Sequence, residues 1–282
     1  MMLDNYKDFE NIIKEKGHYF CISNFNGKID WITKINKENY IVYNKSGKSL
    51  SKDINHINIK NVGYNLYSYL KFIIDNYDNL PNTIVFCKDN ICPRHLDYNL
   101  FKEYLKRLTF TCLEEKITKY KFPINLKISE AGFTEINSSW YKYNYPRLFF
   151  RDYNSFYKYI FKEVENPHFL RFAPGANYIV PKNNILSRSK NFYKNLITFI
   201  SHSQFSCESH YLERSLYTIW NSSIKTSEKM NYIINNKELE NLKDSCKKSI
   251  GKEKKLMEKI NQNIIFKLGN IYMNFLLKNA VE

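Results

Sequence analysis

Three short apolar runs constrain this chain more than anything else in it: His18–Ser23 (HYFCIS), Asn39–Tyr43 (NYIVY) and Thr83–Cys87 (TIVFC). Each is rich in β-branched or aromatic residues, too short for a helix, and runs straight into a polar turn, at 24–27, 44–47 and 88–90. Unbroken apolar runs of this length suit strands buried on both faces. Between the second and third, Tyr64–Tyr77 carries Leu66, Tyr69, Leu70, Ile73 and Ile74 at helical spacing, and Asp78-Asn79-Leu80-Pro81-Asn82 stops it. Further helices are expected at 4–16, ended by Gly17, and near 97–107, 154–165 and 189–200, with 48–60 irregular. Strand, turn, helix, strand predicts an α/β domain. Ligands in open sheets of that class sit outside the carboxyl ends of parallel strands. The three turns, with Asn24, Asn26, Asn44, Lys45, Lys88 and Asp89, are therefore expected to converge on one crevice.

A second informative stretch runs from Phe169 to Trp220. Pro174-Gly175 marks a turn before a strand at Asn177–Val180, and a loop feeding a buried strand is a common ligand-holding place. Glu208, His210, Glu213 and Arg214 then gather at the entry of an amphipathic helix whose apolar face is Leu212, Leu216, Ile219 and Trp220. Those four residues make either a site or a helix cap with a buried ion pair. The aromatic run Trp140–Asp152, with Lys and Arg interleaved, reads either as a stacking platform for sugars or bases, or as a loop closing over the core.

With 282 residues and 43% hydrophobic content, the chain suits one large domain with an appendage, divided here as 1–225 and 226–282. The second part is Lys-rich, lacks proline, and repeats apolar residues at helical spacing from Leu239 to Ile264. It reads as a strap on the domain, a homodimerisation helix, or a basic amphipathic helix at a membrane surface. No apolar run is long enough to span a bilayer and the first residues form no signal-peptide apolar segment, so a cytoplasmic protein, or one peripheral at a membrane, is expected. Six scattered cysteines without a CxxC pair point to free thiols rather than a metal framework or disulfide scaffold. A net charge of +15 favours anionic partners, although abundant Lys, Asn, Ile, Tyr and Phe also match A/T-rich codons. Dinucleotide, P-loop and nucleophile-elbow motifs are all missing from the sequence.

Taken in order, several segments resemble the "domain of unknown function 3431" family, which is similar to compact GT-A glycosyltransferases. Ser23–Trp31 stands where the family has a strand leading to an acidic R-Y-N-E-D-x-x-W-like segment. Tyr43-Asn44-Lys45-Ser46-Gly47 matches its Y-N-K-G, Asn61-Val62-Gly63-Tyr64-Asn65 its N-V-G-x-E, and Asp78–Phe86 its D-x-L-P turn and strand. Phe172–Val180 and Glu213-Arg214-Ser215-Leu216 match the last two motifs. Gly27, Lys28 and Asn65 replace family acids, and no DxD triplet occurs.

This resemblance implies a GT-A-like mixed sheet flanked by helices, with a C-terminal helical extension. It implies an enzyme that moves a sugar from a nucleotide-diphosphate donor to a glycan acceptor, in surface polysaccharide or glycoprotein glycan synthesis. Donor contacts would fall to Asn24, Asn26, Asp30, Tyr43, Asn44, Lys45, Asn61, Gly63, Lys88, Arg94, Pro174, Gly175, Ala176 and Arg214. Asp89 would hold a divalent metal, Mn²⁺ or Mg²⁺, or Lys45, Lys88 and Arg94 would neutralise the diphosphate without one. Glu208 would be the catalytic base, with Glu213 its rival and His210 nearby. Two alternatives stand beside this: a non-catalytic GT-A-like protein that binds a glycan or nucleotide, and a basic nucleic-acid-binding protein, for which no motif speaks.

Overall fold

The computed structural model describes residues 4–26, 29–114, 126–127 and 132–262. Gly27, Lys28 and the apolar stretch 264–279 lie outside the described residues. The three apolar runs form parallel strands: β1 (His18–Asn24), β2 (Tyr40–Asn44) and, after a short β3 (His56–Asn58), β4 (Thr83–Lys88). Later come β5 (Thr111–Cys112), β6 (Leu126–Lys127), β7 (Phe133–Ile136), β8 (Phe169–Phe172) and β9 (Tyr178–Pro181). One sheet has the order β3-β2-β1-β4-β9-β5, and β6, β7 and β8 form a second, antiparallel one. Strands β3, β2, β1 and β4 run parallel, and β9 and β5 make the sheet mixed by pairing antiparallel beyond β4.

Helices cover both faces: α1 (Asp4–Lys16), α2 (Leu66–Asn76), α3 (Ile91–Arg94), α4 (Tyr98–Leu105), α5 (Tyr153–Ile160), α6 (Lys182–Leu186), α7 (Lys190–Ile200) and α8 (Cys207–Asn221). Side chains alternate along a strand, so each run feeds two cores. Phe20, Ile22, Val42, Val85 and Cys87 meet Phe9 and Ile13 of α1 and Phe101 and Leu105 of α4. Cys21, Ile41, Tyr43, Ile84 and Phe86 turn the other way, into the larger core with α2, α5, α7 and α8.

Several expectations need correcting. The stretch 48–60 is not wholly irregular, because β3 extends the sheet there. The helix expected over 154–165 ends at Ile160, where Phe161 turns extended and bridges Thr226. Ser227 N–H then donates to Ile160 O at 3.0 Å and Asn195 Nδ2 to Tyr232 O at 2.7 Å, which ties residues 227–232 to α5 and α7. The long helix α9 (Asn236–Gln262) follows. It lies against the domain through Leu239 and Leu242, and Glu253 meets Arg147 at 3.1 Å and Lys142 at 3.5 Å. No helix among the described residues is long and apolar enough to cross a membrane.

Candidate functional site

Strand order places the site. The chain steps from β1 to β2 to β3 on one side, then crosses through α2 to β4 on the other side of β1. Carboxyl ends diverge at such a reversal and leave a crevice. A cavity of about 420 Å³ opens there. Ser23, Phe25 and Asn26 line it from the end of β1, Lys45 from β2, and Lys88, Asp89 and Asn90 from β4. Asn61, Tyr64 and Asn65 arrive just before α2, Arg94 closes α3, and Gln204 and Phe205 come from the loop between α7 and α8.

Lys45 and Lys88 dominate its electrostatics. Both are buried, and among the described residues neither stands within ion-pair distance of a carboxylate. The Lys45 ammonium donates to Val62 O at 2.5 Å and to Tyr64 O. Lys88 donates to the Tyr64 hydroxyl and sits 4.2 Å from that ring's centre. Burial lowers Lys45 to about 7 and, against the pull of Glu213, Lys88 to about 8. An ammonium has three N–H donors, so both retain capacity for a ligand. Arg94 is exposed at the rim.

Tyr64 ties the two lysines together. It sits at φ 53°, a left-handed conformation costing a bulky residue about 1–2 kcal/mol. The strain is held by docking onto the neighbouring loop: Gly63 N–H donates to Ser203 O at 2.8 Å and Tyr64 N–H to Gln204 O at 2.9 Å. Its ring also meets Phe205, 5.5 Å between centres.

The residues named from sequence divide sharply. Asn26, Lys45, Asn61, Lys88, Arg94 and Asp89 line the crevice together. Asn24 and Asn44 instead tie strand ends: Asn24 Nδ2 donates to Asn44 Oδ1 at 3.1 Å, and Asn44 Nδ2 to Asn58 Oδ1 at 2.8 Å. Tyr43 is buried in the larger core. Asp30 is exposed on the short helix after β1, outside the crevice lining. Gly63 shapes the wall through its own left-handed φ and close approach to Ile200.

Pro174, Gly175 and Ala176 form a turn behind the crevice. Gly175 N–H donates to Glu213 Oε1 at 2.7 Å, and Gly175 O accepts from Asn65 Nδ2 at 2.6 Å. A Cβ on Gly175 would stand 2.7 Å from His95 Cε1, at φ +80°. His95 is held in turn by Glu114, at 2.6 Å. Gly175→Ala is therefore expected to destabilise the protein by about 2 kcal/mol or more, from overpacking and a strained backbone. Urea unfolding checks this, and a midpoint equal to that of the unaltered chain would contradict it.

The three catalytic candidates do not line the crevice. Glu208 is fully buried; its Oε1 accepts backbone N–H groups from Leu148 and Phe149 at 2.8 Å and Phe150 at 3.3 Å, and its Oε2 faces His202 at 3.0 Å. In that geometry the carboxylate caps a loop, outside the crevice lining. Glu213 is committed to Gly175 and to Arg214, at 3.2 Å. Arg214 is itself buried, paired with both oxygens of Glu135 and stacked on Tyr141 and Phe172. It joins α8 to β7, outside the crevice lining. His210 lies between Tyr141 and Tyr145, and burial lowers it to about 4, so it is neutral near pH 7.

A divalent metal would find few protein ligands here. Asp89 Oδ2 accepts from Phe25 N–H at 2.9 Å, while its carbonyl accepts from Trp31 Nε1 at 2.9 Å. Asp89 is the one carboxylate among the described residues that line this crevice, which carries three cations. Among the described residues no three His, Cys, Asp or Glu side chains are grouped to hold an ion. What the arrangement can do is hold an anion.

Sequence reasoning missed Tyr64, Gln204 and Phe205. Tyr64 reads as the first residue of a helix, though the Gly63 before it marks a turn. The other two carry no signal of their own, because tertiary folding alone brings their loop to the strand ends.

A family model described as "Protein of unknown function (DUF3431)" matches residues 23–238, from the end of β1 to the first turn of α9. No curated protein and no solved structure matches the chain. The matched span contains every residue that lines the crevice, and the chain belongs to the DUF3431 family.

Proposed function

We propose that the crevice binds a nucleotide diphosphate and that the chain is a glycosyltransferase of the GT-A kind, working on a nucleotide-diphosphate sugar and a glycan acceptor. One observation carries this: two buried lysines without a carboxylate partner among the described residues converge at the strand-order reversal. Buried cations need an anion, and a diphosphate supplies one. In transfer, the acceptor oxygen bonds to the anomeric carbon as the carbon–diphosphate bond breaks. The diphosphate leaves with the bonding electrons, and the growing charge is met by Lys45, Lys88 and Arg94. The acceptor proton passes to a base.

A second reading, a non-catalytic nucleotide- or glycan-binding protein, is favoured by the absence of Glu208, Glu213 and His210 from the crevice lining. Thermal unfolding against nucleoside diphosphates and their sugars, with and without Mn²⁺, tests the site. Ligand at about 100 times its Kd stabilises by roughly 2.7 kcal/mol, a shift of several degrees. The expected shift is indifferent to Mn²⁺; no shift with any of these ligands sinks the proposal. Release of free nucleoside diphosphate from the bound sugar, followed by chromatography, then separates enzyme from binder.

A further inference from the structure

Hydrogen-bond capacity within the crevice leads one step further, resting on the anion-site reading above. A tyrosine hydroxyl has one hydrogen to donate and two lone pairs to accept with. The Tyr64 oxygen accepts from the Lys88 ammonium, which turns the hydroxyl hydrogen away from Lys88. Among the described residues that hydrogen has no acceptor, and the side chain lines the crevice. The same residue's carbonyl accepts from Lys45. One tyrosine thus touches both cations, from the ends of two strands that lie on either side of β1.

We propose that Tyr64 is a third anion-binding group, whose hydroxyl, polarised by Lys88, donates to an oxygen of a diphosphate held between Lys45 and Lys88. The left-handed backbone at Tyr64 has a purpose in this arrangement, since it presents carbonyl and ring to the two lysines at once. Burial raises the phenol to about 12, so it keeps the proton it must donate. Donation from a hydroxyl to an anionic oxygen is among the stronger hydrogen bonds.

Tyr64→Phe deletes the hydroxyl and keeps the ring against Phe205. Pyrophosphate titrated calorimetrically is expected to bind about tenfold more weakly to this variant, with the melting temperature of the free protein lowered by several degrees because Lys88 loses its hydrogen-bond partner. Binding as tight as in the unaltered chain, or tighter, overturns the proposal; the latter would mean that the phenol competes with the anion. Lys88→Met is titrated alongside. If it weakens pyrophosphate binding and Tyr64→Phe does not, Tyr64 alone is misassigned; if neither does, the anion site itself fails. Should Tyr64→Phe not fold, 3-fluorotyrosine at position 64 gives a second readout. Its fluorine resonance is expected to move on saturation with pyrophosphate, and a stationary signal counts against the contact.

Discussion

Lys88→Met is expected to make the protein more stable and to cost it at least a hundredfold in affinity for a nucleoside diphosphate. The two effects have one origin. Lys88 is 7% exposed and has a neutral hydroxyl as its hydrogen-bond partner, so folding strips water from a charge without placing a described carboxylate within ion-pair distance. Lowering from 10.5 to about 8 corresponds to roughly 3 kcal/mol of destabilisation near pH 7. Methionine keeps the apolar stem and removes the charge, at the loss of one hydrogen bond, leaving a net gain of about 1–3 kcal/mol. Cations held at such a cost are typical of sites in which function is retained against stability.

Below about pH 8 the lysine is protonated in both states, and the folded state carries the whole difference. Between about 8 and 10.5 the folded state releases its proton first, the unfolded state binds more, and stability rises with pH. The gap between Lys88→Met and the unaltered chain is thus expected to be widest near pH 7 and to close above about pH 10.5. Denaturant unfolding at a series of pH values measures it. A variant less stable at every pH would show that Lys88 is structural and has its counter-charge within the protein.

Much of this site was legible because the strand-end residues follow directly from the apolar runs. A run such as TIVFC commits Lys88 and Asp89 to the strand's exit, and a parallel sheet commits all such exits to one edge. Lys45 was found in the same way. What the sequence did not carry was orientation and partnership. The strand at Tyr178–Pro181 pairs antiparallel with β4, which no local pattern announces. Arg214 looked like half of an ion pair, but its main partner, Glu135, lies 79 positions away in a stretch whose short strands have little periodicity. Tyr64 was hidden by its own neighbours, since Leu66, Tyr69 and Leu70 set a helical period that runs backward over it. Its backbone conformation is decided by Ser203 and Gln204, far along the chain.

Glu208 shows the same limit and gives the second large effect. An acid in the first turn of a late helix is the right residue type for a base and equally for a cap. The fold turns it inward, where one oxygen takes the N–H groups of Leu148, Phe149 and Phe150, as a cap would. Each buried N–H left without an acceptor costs about 1–3 kcal/mol, so Glu208→Ala is expected to destabilise by about 3–5 kcal/mol. At about 2–4 °C per kcal/mol, the melting temperature falls by roughly 10 °C or more. Glu208→Gln keeps an oxygen in the same place and loses only the charge, so about 1–2 kcal/mol is expected, with nucleoside-diphosphate binding and any sugar transfer intact. A catalytic base would behave in the opposite way: glutamine would spare stability and abolish transfer. Melting temperature and turnover measured side by side on the two variants therefore separate the roles. Full stability with no turnover in Glu208→Gln would return this carboxylate to the reaction.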